Sequence, residues 1–180
     1  MSISHPRVFW LFGLSGAGKT TLANSLGNFL RSRGTGVLEL DGDALRNGLC
    51  QGLGYSDNDR AENLRRAAEV ARLGAESGLC VVASFITPLE SHRRLVEKII
   101  GRDRLSWIFA DAPLEICRQR DIKGLYAKAK TGLIKQMTGI SSSFEAPAGA
   151  DLTLDTATLP PADSARRLIA FAQRRLGLAV

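Results

Sequence analysis

The chain has 180 residues, which is the length of one domain with a sizeable hydrophobic core. Its 44% hydrophobic and 23% charged residues are ordinary for a globular enzyme, and no apolar run approaches the ~20 residues of a membrane helix. The formal net charge of +6 favours an anionic partner, which could be nucleic acid, an acidic membrane surface or a small polyphosphate. Composition does not distinguish these three kinds of partner, so the motifs along the chain have to be considered.

Five apolar, β-rich runs recur along the chain with helical patterns between them. They are "RVFWLFG" (7–13), "VLEL" (37–40), "LCVVASF" (79–85), "LSWIFAD" (105–111) and "DLTLDT" (151–156). Strands that are almost continuously apolar are typical of a parallel sheet covered on both faces. Their alternation with helices predicts right-handed βαβ crossovers and a three-layer α/β domain around a central parallel sheet.

The clearest helical pattern covers residues 61–75, where small and apolar residues share one face and arginine and glutamate lie elsewhere. The predicted buried face consists of Leu64, Ala67, Ala68, Ala71 and Ala75. A last helix, "SARRLIAFAQRRL", is expected after the prolines of "LPPAD", which end the preceding element.

Residues 120–147, "RDIKGLYAKAKTGLIKQMTGISSSFEAP", depart from this alternation. The segment is rich in Gly, Lys and Ser and lacks sustained apolar periodicity. A long, weakly structured insert in a compact domain is usually a functional lid or disorder, and we interpret this one as a mobile lid. No internal repeat or linker divides the chain, so we expect a single domain over residues 1–180.

The cysteine pattern and the N-terminal sequence give indications of the cellular compartment in which the protein occurs. Cys50, Cys80 and Cys117 match no zinc or dithiol spacing, and their odd number argues against a disulfide framework. Cys80 lies in an apolar run and is expected in the core. The first strand begins almost at once in "MSISHPRVFWLFG", which leaves no room for a signal or transit peptide. We expect a protein of the cytoplasm without a membrane anchor.

The sequence "GLSGAGKTT", residues 13–21, fits the Walker A pattern G-x-x-x-x-G-K-[ST] directly after a strand and at the start of a helix. Its glycines let backbone N–H groups face a phosphate, and the helix N-terminus adds partial positive charge. A chance glycine-rich turn is the alternative, against which the context argues. The motif predicts a nucleoside triphosphate site with Mg²⁺ on the Thr20 hydroxyl. Its candidate ligands are Gly13, Ser15, Gly16, Ala17, Gly18, Lys19, Thr20 and Thr21.

The second strand ends at Asp41-Gly42-Asp43, and ligands of open parallel sheets bind beyond the carboxyl ends of strands. Phosphoryl transfer to a hydroxyl needs Mg²⁺ and a carboxylate that orients the acceptor and takes its proton. We assign Asp41 to the metal's water shell and Asp43 to the acceptor hydroxyl. The alternative is that Asp43 caps a helix beginning at Ala44, and it could do both. The absence of an N-K-x-D guanine motif favours a small kinase.

Several segments, in order, resemble adenylylsulfate kinases: the P-loop, "LDGDALRNGL", "LGYSDNDRAENLRRAAEVARL", "SFITP", "DAPLEICRQRDIKGLYAKAK" and "GLIKQMTGI". The resemblance covers the chain from residue 13 to about residue 156. It implies the P-loop NTPase fold of nucleotide kinases with a mobile lid, and a homodimer. It also implies transfer of the ATP γ-phosphoryl group to the 3′-hydroxyl of adenosine 5′-phosphosulfate (APS), a step of sulfate assimilation or sulfonation.

The resemblance gives roles to the residues around the second strand. Asp43 matches the group that faces the 3′-hydroxyl, and Arg46, Arg60 and Asn63 match groups that bind the phosphosulfate and the adenosine. Guanidinium groups suit oxyanions because they donate in a planar fork. Tyr55 matches an aromatic ring that stacks on adenine, a contact worth ~1–3 kcal/mol. The alternatives are surface ion pairs for the arginines, a helix-entry hydrogen bond for Asn63 and a half-buried turn residue for Tyr55.

The lid and the helix before it contribute cations. Lys123, Lys128 and Lys130 would approach the transferring phosphoryl group when the lid closes and excludes water, although lysine runs are usually solvated faces. Arg118 and Arg120 are expected to flank the ATP adenine, with Arg120 preferred by the family match. The residues with catalytic roles are Asp43, Lys19 and Lys123. Further substrate contacts are expected from Ser84, Phe85, Ile86, Thr87, Leu125 and Met137.

Four positions need comment. Met137 stands where the family usually has phenylalanine, which predicts looser binding of APS. "GISSSFEAP" replaces an acidic, proline- and tyrosine-containing loop, so lid contacts near Phe144 are open. Thr87 stands where some members have a serine proposed to accept phosphate; we favour direct in-line transfer, with Ser84 and Thr87 as structural or substrate contacts. Asp111 could assist the metal, but we favour an N-cap before "APLE".

Two other functions remain open at this stage. A P-loop kinase for another small hydroxyl acceptor, such as a sugar acid, would also suit the Asp-x-Asp after the second strand, but Tyr55 and the "KGLY" lid argue against it. A regulatory nucleotide-binding module without turnover would not need Lys19, Thr20 and Asp43 together. Nucleic-acid binding is not expected, because only 6% of the residues are aromatic and the basic groups cluster in the lid and substrate motifs.

Overall fold

A five-stranded parallel sheet lies at the centre of the structure, a computed structural model that describes residues 7–133 and 135–178. The strand order is β2-β3-β1-β4-β5, and every neighbouring pair is parallel. All five predicted strands are confirmed, each to within one residue at either end. They are β1 (Val8–Phe12), β2 (Val37–Asp41), β3 (Cys80–Ser84), β4 (Leu105–Asp111) and β5 (Leu152–Asp155).

Helices cover both faces of the sheet, which confirms the predicted three-layer α/β architecture. The helices α1 and α7 pack together on one face, and α3 and α4 pack together on the other. The helices are α1 (Lys19–Ser32), α2 (Gly42–Arg46), α3 (Asp57–Glu76), α4 (Glu90–Ile100), α5 (Leu114–Arg120), α6 (Leu125–Lys130) and α7 (Pro161–Leu176).

Side-chain alternation along the central strand divides the core into two layers. Phe9 and Leu11 of β1 enter the layer beneath α1 and α7, whereas Trp10 and Phe12 enter the layer beneath α3 and α4. The predicted apolar face of α3 is confirmed, because all five of its residues are buried in that second layer. Cys80 is buried as predicted. No helix among residues 7–133 and 135–178 combines the length and apolarity that a membrane span requires.

The alternative role of Asp43 as a helix cap and the predicted cap by Asp111 are both wrong. The side chain of Asp41, not that of Asp43, caps α2 by accepting hydrogen bonds from the backbone N–H groups of Asp43 and Ala44. This leaves the Asp43 carboxylate free of a capping role. The second case is Asp111, which cannot cap α5 because that helix begins at Leu114 and has no side-chain cap.

The segment 120–147 contains one element that the sequence pattern did not predict, the six-residue helix α6. Two turns are too short to show an apolar period. The carboxylate of Asp121 accepts hydrogen bonds from the N–H groups of Tyr126 and Ala127 and so stabilises the start of α6. Phe144 stacks on Phe109 of β4 with ring centroids 6.1 Å apart, so it packs on the sheet. Ile134, with residues 1–6 and 179–180, lies outside the described residues.

Candidate active site

The P-loop follows β1 and leads into α1, as predicted. Gly16 and Gly18 have φ angles of 81° and 86°, which L side chains rarely adopt. A Cβ on Gly16 would lie 2.8 Å from the carbonyl oxygen of Cys117 in α5, so the loop also needs glycine there for space. The Lys19 ammonium donates to the Leu14 carbonyl at 2.6 Å, and burial lowers the pKa of Lys19 to about 8.

The carboxylate of Asp41 accepts hydrogen bonds from hydroxyl groups of the neighbouring elements α1 and β3. Its Oδ2 accepts from Ser84 Oγ at 2.9 Å and from Thr20 Oγ1 at 3.2 Å. Burial would raise the pKa of Asp41, but hydrogen bonds from Ser84 and from the N–H groups of Ala44 and Asp43 hold this pKa below its usual value. This all-oxygen set suits Mg²⁺, which prefers oxygen ligands and keeps waters and phosphates in its shell. Among the described residues, no group of three or more His, Cys, Asp or Glu forms a denser metal site.

Asp43 and Lys123 form an ion pair across the cavity. Their side chains remain 60% and 53% exposed, so solvent or a ligand can reach both. The hydrogen bond from Lys123 to Asp43 is the main cause that raises the pKa of Lys123, which keeps its positive charge. The contact brings the lid residue to the carboxylate that follows β2. Two predicted catalytic groups therefore meet, 80 residues apart in the chain.

Arg46, Tyr55 and Arg60 form a second cluster beside Asp43. The guanidinium carbons of Arg46 and Arg60 lie 4.5 and 5.5 Å from the centre of the Tyr55 ring, on which both stack. Arg46 donates to the carbonyls of residues 53 and 54, and Arg60 donates to Tyr55 and to Gln136 of the lid segment. Neither arginine is in an ion pair in the described part of the chain, so the surface ion-pair alternative is not what holds them.

Asn63 and Thr87 lie deeper, beside a small cavity of about 70 Å³ that adjoins the main one. Asn63 is buried, and its Oδ1 has no hydrogen-bond partner among the described residues. A buried polar atom without a partner is costly, which marks this oxygen as a candidate for ligand contact. Thr87 is buried with a φ angle of 41°, and its hydroxyl accepts from the Trp10 indole at 2.9 Å. The Thr87 hydroxyl is thus already hydrogen-bonded to a side chain of the core.

One cavity of about 540 Å³ brings most of the predicted residues together between the P-loop, the end of β2 and the lid. The predicted residues Gly13, Ala17, Arg118 and Arg120 do not line it, and Asn63 and Thr87 line only the small adjoining cavity. Lys128 and Lys130 are exposed and also lie outside it. The predicted residues that line it are Ser15, Gly16, Gly18, Lys19, Thr20, Thr21, Asp41, Asp43, Arg46, Tyr55, Arg60, Ser84, Phe85, Ile86, Lys123, Leu125 and Met137.

Sequence reasoning missed several residues at this site, and four of them make informative contacts. Gln136 and Thr138 line the cavity, and the buried Thr138 hydroxyl has no partner among the described residues. Tyr126 and Thr156 contact the back of the P-loop. A tyrosine between two lysines in "KGLYAKAK" was the one available signal, because a bulky ring in a polar stretch suggests an anchor. A threonine at a strand end carries no such signal.

The family model and a curated relative indicate one family. The family model described as "Adenylylsulphate kinase" matches residues 5–155. The adenylyl-sulfate kinase of Marinobacter nauticus is 47% identical over 170 residues, which cover 94% of this chain and 85% of that protein.

Solved structures are similar as well. The structure of the Mycobacterium tuberculosis APS kinase CysC in complex with AMPPNP and APS has a TM-score of 0.89 and 40% identity, and the match covers 94% of this chain and 98% of that one. A hexameric APS kinase from Thiobacillus denitrificans has a TM-score of 0.73 and 25% identity, covering 99% of this chain and 31% of that one.

Proposed function

Because this chain belongs to the adenylylsulphate kinase family, we infer that it transfers the γ-phosphoryl group of ATP to the 3′-hydroxyl of APS. The products are ADP and 3′-phosphoadenosine 5′-phosphosulfate. One observation carries the inference within the structure: a single cavity holds the P-loop at one end and Asp43, with its cluster of arginines and Tyr55, at the other. Donor and acceptor can therefore meet in one space.

At the donor end, the P-loop amides are assigned to the ATP phosphates. Lys19 is assigned to the β- and γ-phosphates, for which its ammonium must exchange the Leu14 carbonyl for phosphate oxygens. The aromatic base of ATP is assigned to the surface beside Arg118 and Arg120. The guanidinium of Arg120 is already held by the carbonyls of Gly16 and Thr156, which supports a fixed plane for stacking.

The residues present fit Mg²⁺. Thr20 would hold the ion directly, and Asp41 would hold its water shell, because these oxygens already share a hydrogen bond at the edge of the phosphate site. When bound, the ion would neutralise charge on the β- and γ-phosphates.

At the acceptor end, Asp43 is the proposed base. The 3′-oxygen attacks the γ-phosphorus in line, the bond from that phosphorus to the β–γ bridging oxygen breaks, and the proton passes to Asp43 as ADP leaves. Lys123 is proposed to hold the Asp43 carboxylate in place, which their ion pair supports. The same ammonium is proposed to approach the charge on the transferring group.

The rest of the acceptor is assigned to the residues around Asp43. Arg46, Arg60 and Asn63, whose Oδ1 has no hydrogen-bond partner among the described residues, are proposed to bind the phosphosulfate and the adenosine, since all three line one small cavity. Tyr55 and Met137 are proposed to lie on the two sides of the adenine. The remaining wall consists of Ser84, Phe85, Ile86, Thr87 and Leu125.

Assembly and compartment are also proposals. We propose a homodimer, as the family resemblance implies and as the oligomer formed by the Thiobacillus enzyme makes reasonable. Light scattering on the purified chain would test it, and a monomer at micromolar concentration would contradict it. The three cysteines are free and buried in the structure, which supports a reducing compartment such as the cytoplasm.

One assay tests the activity. The protein is incubated with Mg-ATP and APS, and mass spectrometry identifies the product. We expect a phosphorylated product with APS and none with its 3′-deoxy analogue, which keeps every other contact. Gluconate tests the sugar-acid alternative in the same assay. Phosphorylation of gluconate in place of APS, or phosphorylation of the 3′-deoxy analogue, would contradict the proposal.

A further inference from the structure

Side chains hydrogen-bond to four consecutive carbonyl oxygens of the P-loop. The donor at the first position is Lys19, within the motif itself, but the other three donors come from elsewhere in the fold. The pairs are Lys19 to Leu14 at 2.6 Å, Tyr126 to Ser15 at 2.9 Å, Arg120 to Gly16 at 3.3 Å and Thr156 to Ala17 at 2.9 Å.

The three outside donors belong to three different elements. Tyr126 lies in the lid helix α6, Arg120 ends α5 and Thr156 follows β5. Tyr126 and Thr156 are only 6% and 8% exposed, so water competes little for these contacts. The Arg120 guanidinium also donates to the Thr156 carbonyl at 2.5 Å, which links two of the donors. The Thr156 hydroxyl shares its hydrogen with the Asp111 carbonyl at 3.0 Å.

These contacts constrain the side of the loop that faces the phosphate. A peptide group is planar, so a fixed carbonyl also fixes the direction of the N–H that follows it. Tyr126 thereby orients the N–H of Gly16, and Thr156 orients the N–H of Gly18. Both glycines line the main cavity and have positive φ angles. Glycine is conformationally permissive, so these peptide planes would rotate more freely without an external contact.

We propose that Tyr126, Thr156 and Arg120 are positioning residues that hold the N–H groups of the P-loop in their phosphate-binding orientation before ATP arrives. None of the three needs to touch the transferring phosphoryl group to act in this way. Tyr126 has a second consequence, because it anchors α6 and with it the turn that carries Lys123. The proposal depends on the P-loop being the ATP site proposed above, but not on the identity of the acceptor.

The test isolates the phosphate cradle with inorganic tripolyphosphate, which carries no base, ribose or acceptor. Calorimetry measures its affinity for the wild type and for Thr156→Val and Tyr126→Phe, which remove one hydroxyl each and keep the buried shape. We expect each variant to bind tripolyphosphate about fivefold more weakly. The KM for ATP should rise by a similar factor while the KM for APS stays unchanged. Because Tyr126 also positions Lys123, only Tyr126→Phe should lower kcat.

Two further variants separate positioning from stability. Thr156→Ser retains the hydroxyl and should restore wild-type affinity for tripolyphosphate. Thr131→Val is the matched control, since the Thr131 hydroxyl also donates to backbone carbonyls, in α6 away from the P-loop. A lower melting temperature with unchanged tripolyphosphate affinity in Thr156→Val and Tyr126→Phe would overturn the proposal. If Thr156→Val does not fold, Tyr126→Phe alone decides.

The two proposals fail separately. If the wild type binds tripolyphosphate and its variants lose affinity, the positioning role stands even where APS is not phosphorylated. If APS is phosphorylated and the variants bind tripolyphosphate normally, the proposed function stands and the positioning role is wrong.

Discussion

The donor end and the acceptor end of the cavity are built differently. At the donor end, the P-loop packs closely against α5 at Gly16, and side chains of α5, of α6 and of the residue after β5 donate to its carbonyls. At the acceptor end, Arg60 is buried, whereas Tyr55 is 51% exposed and the Asp43 and Lys123 side chains are more exposed still. Those groups contact one another, through an ion pair and through the two arginines stacked on the Tyr55 ring.

The difference indicates two ways of preparing a site. Under the positioning role proposed above, the contacts to the P-loop carbonyls would keep its N–H groups oriented, so ATP would meet a preformed cradle. The residues proposed to bind the acceptor instead contact one another, and under the proposed function APS would take over some of those contacts. We therefore expect substitutions at the acceptor end to change kcat and the KM for APS. Substitutions at the donor end should change the affinity for ATP. The following predictions test this division, from the largest expected effect to the smallest.

The largest effect is expected from Asp43→Asn. The amide keeps the shape of the side chain but cannot accept the proton of the 3′-hydroxyl, so kcat should fall by about 10²- to 10⁴-fold. Steady-state kinetics measure kcat, and calorimetry should find ATP affinity unchanged. Asp163→Asn, a change at an exposed ion pair of α7, is the control and should leave kcat at its wild-type value. Full activity of Asp43→Asn would remove the proposed base.

Arg60→Lys should mainly weaken the binding of APS. Lysine cannot donate to the Tyr55 and Gln136 carbonyls and to an oxyanion in the same geometry, so charge-assisted contacts are lost. A loss of this kind raises the KM for APS by roughly 10- to 100-fold, while the KM for ATP stays constant. Arg72→Lys, on the exposed side of the same helix, is the matched control. An equal rise in both KM values would contradict the division between the two ends.

The donor end should respond to pH through Lys19. In the free protein the pKa of Lys19 is about 8, because burial disfavours the charged form. Bound phosphate favours the charged form and raises this pKa, so ATP binding takes up a proton above pH 8. The dissociation constant for ATP should therefore rise about tenfold from pH 7 to pH 9.

Calorimetry in two buffers of different ionisation enthalpy measures that proton uptake. Lys19→Arg keeps its charge at pH 9 and should lose the pH step. If the wild type takes up no proton near pH 9, the lowered pKa does not govern ATP binding.

The smallest effect is expected from Met137→Phe. Met137 is buried at the edge of the cavity, where its thioether can lie on a ring but stacks less well than an aromatic side chain. Phenylalanine should lower the KM for APS by about fivefold, with little change for ATP. An unchanged KM for APS would refute the role of Met137 beside the adenine.

The sequence predicted the sheet and most of the residues that line the main cavity, because both leave local patterns. The apolar runs predicted all five strands, and the period of α3 predicted its buried face. The P-loop and the Asp41-Gly42-Asp43 turn can be recognised in the sequence by the spacing of their residues and by their position directly after strands. Local patterns were the weakest guide where a single side-chain atom determines a contact, as in a helix cap. The α2 cap went to Asp41 rather than Asp43, and Asp111 lies too far before α5 to cap it.

By itself, the sequence determined the fold class, the family and the residue types available for phosphoryl transfer. Only the tertiary structure decided which groups meet: Lys123 with Asp43 across 80 residues, Arg60 with Gln136 across 76, and Thr156 with Ala17 across 139. Such contacts depend on how parallel strands place their carboxyl ends at one edge of the sheet. Residues far apart in the chain become neighbours there, and no period or spacing along the sequence records which side chain reaches which carbonyl.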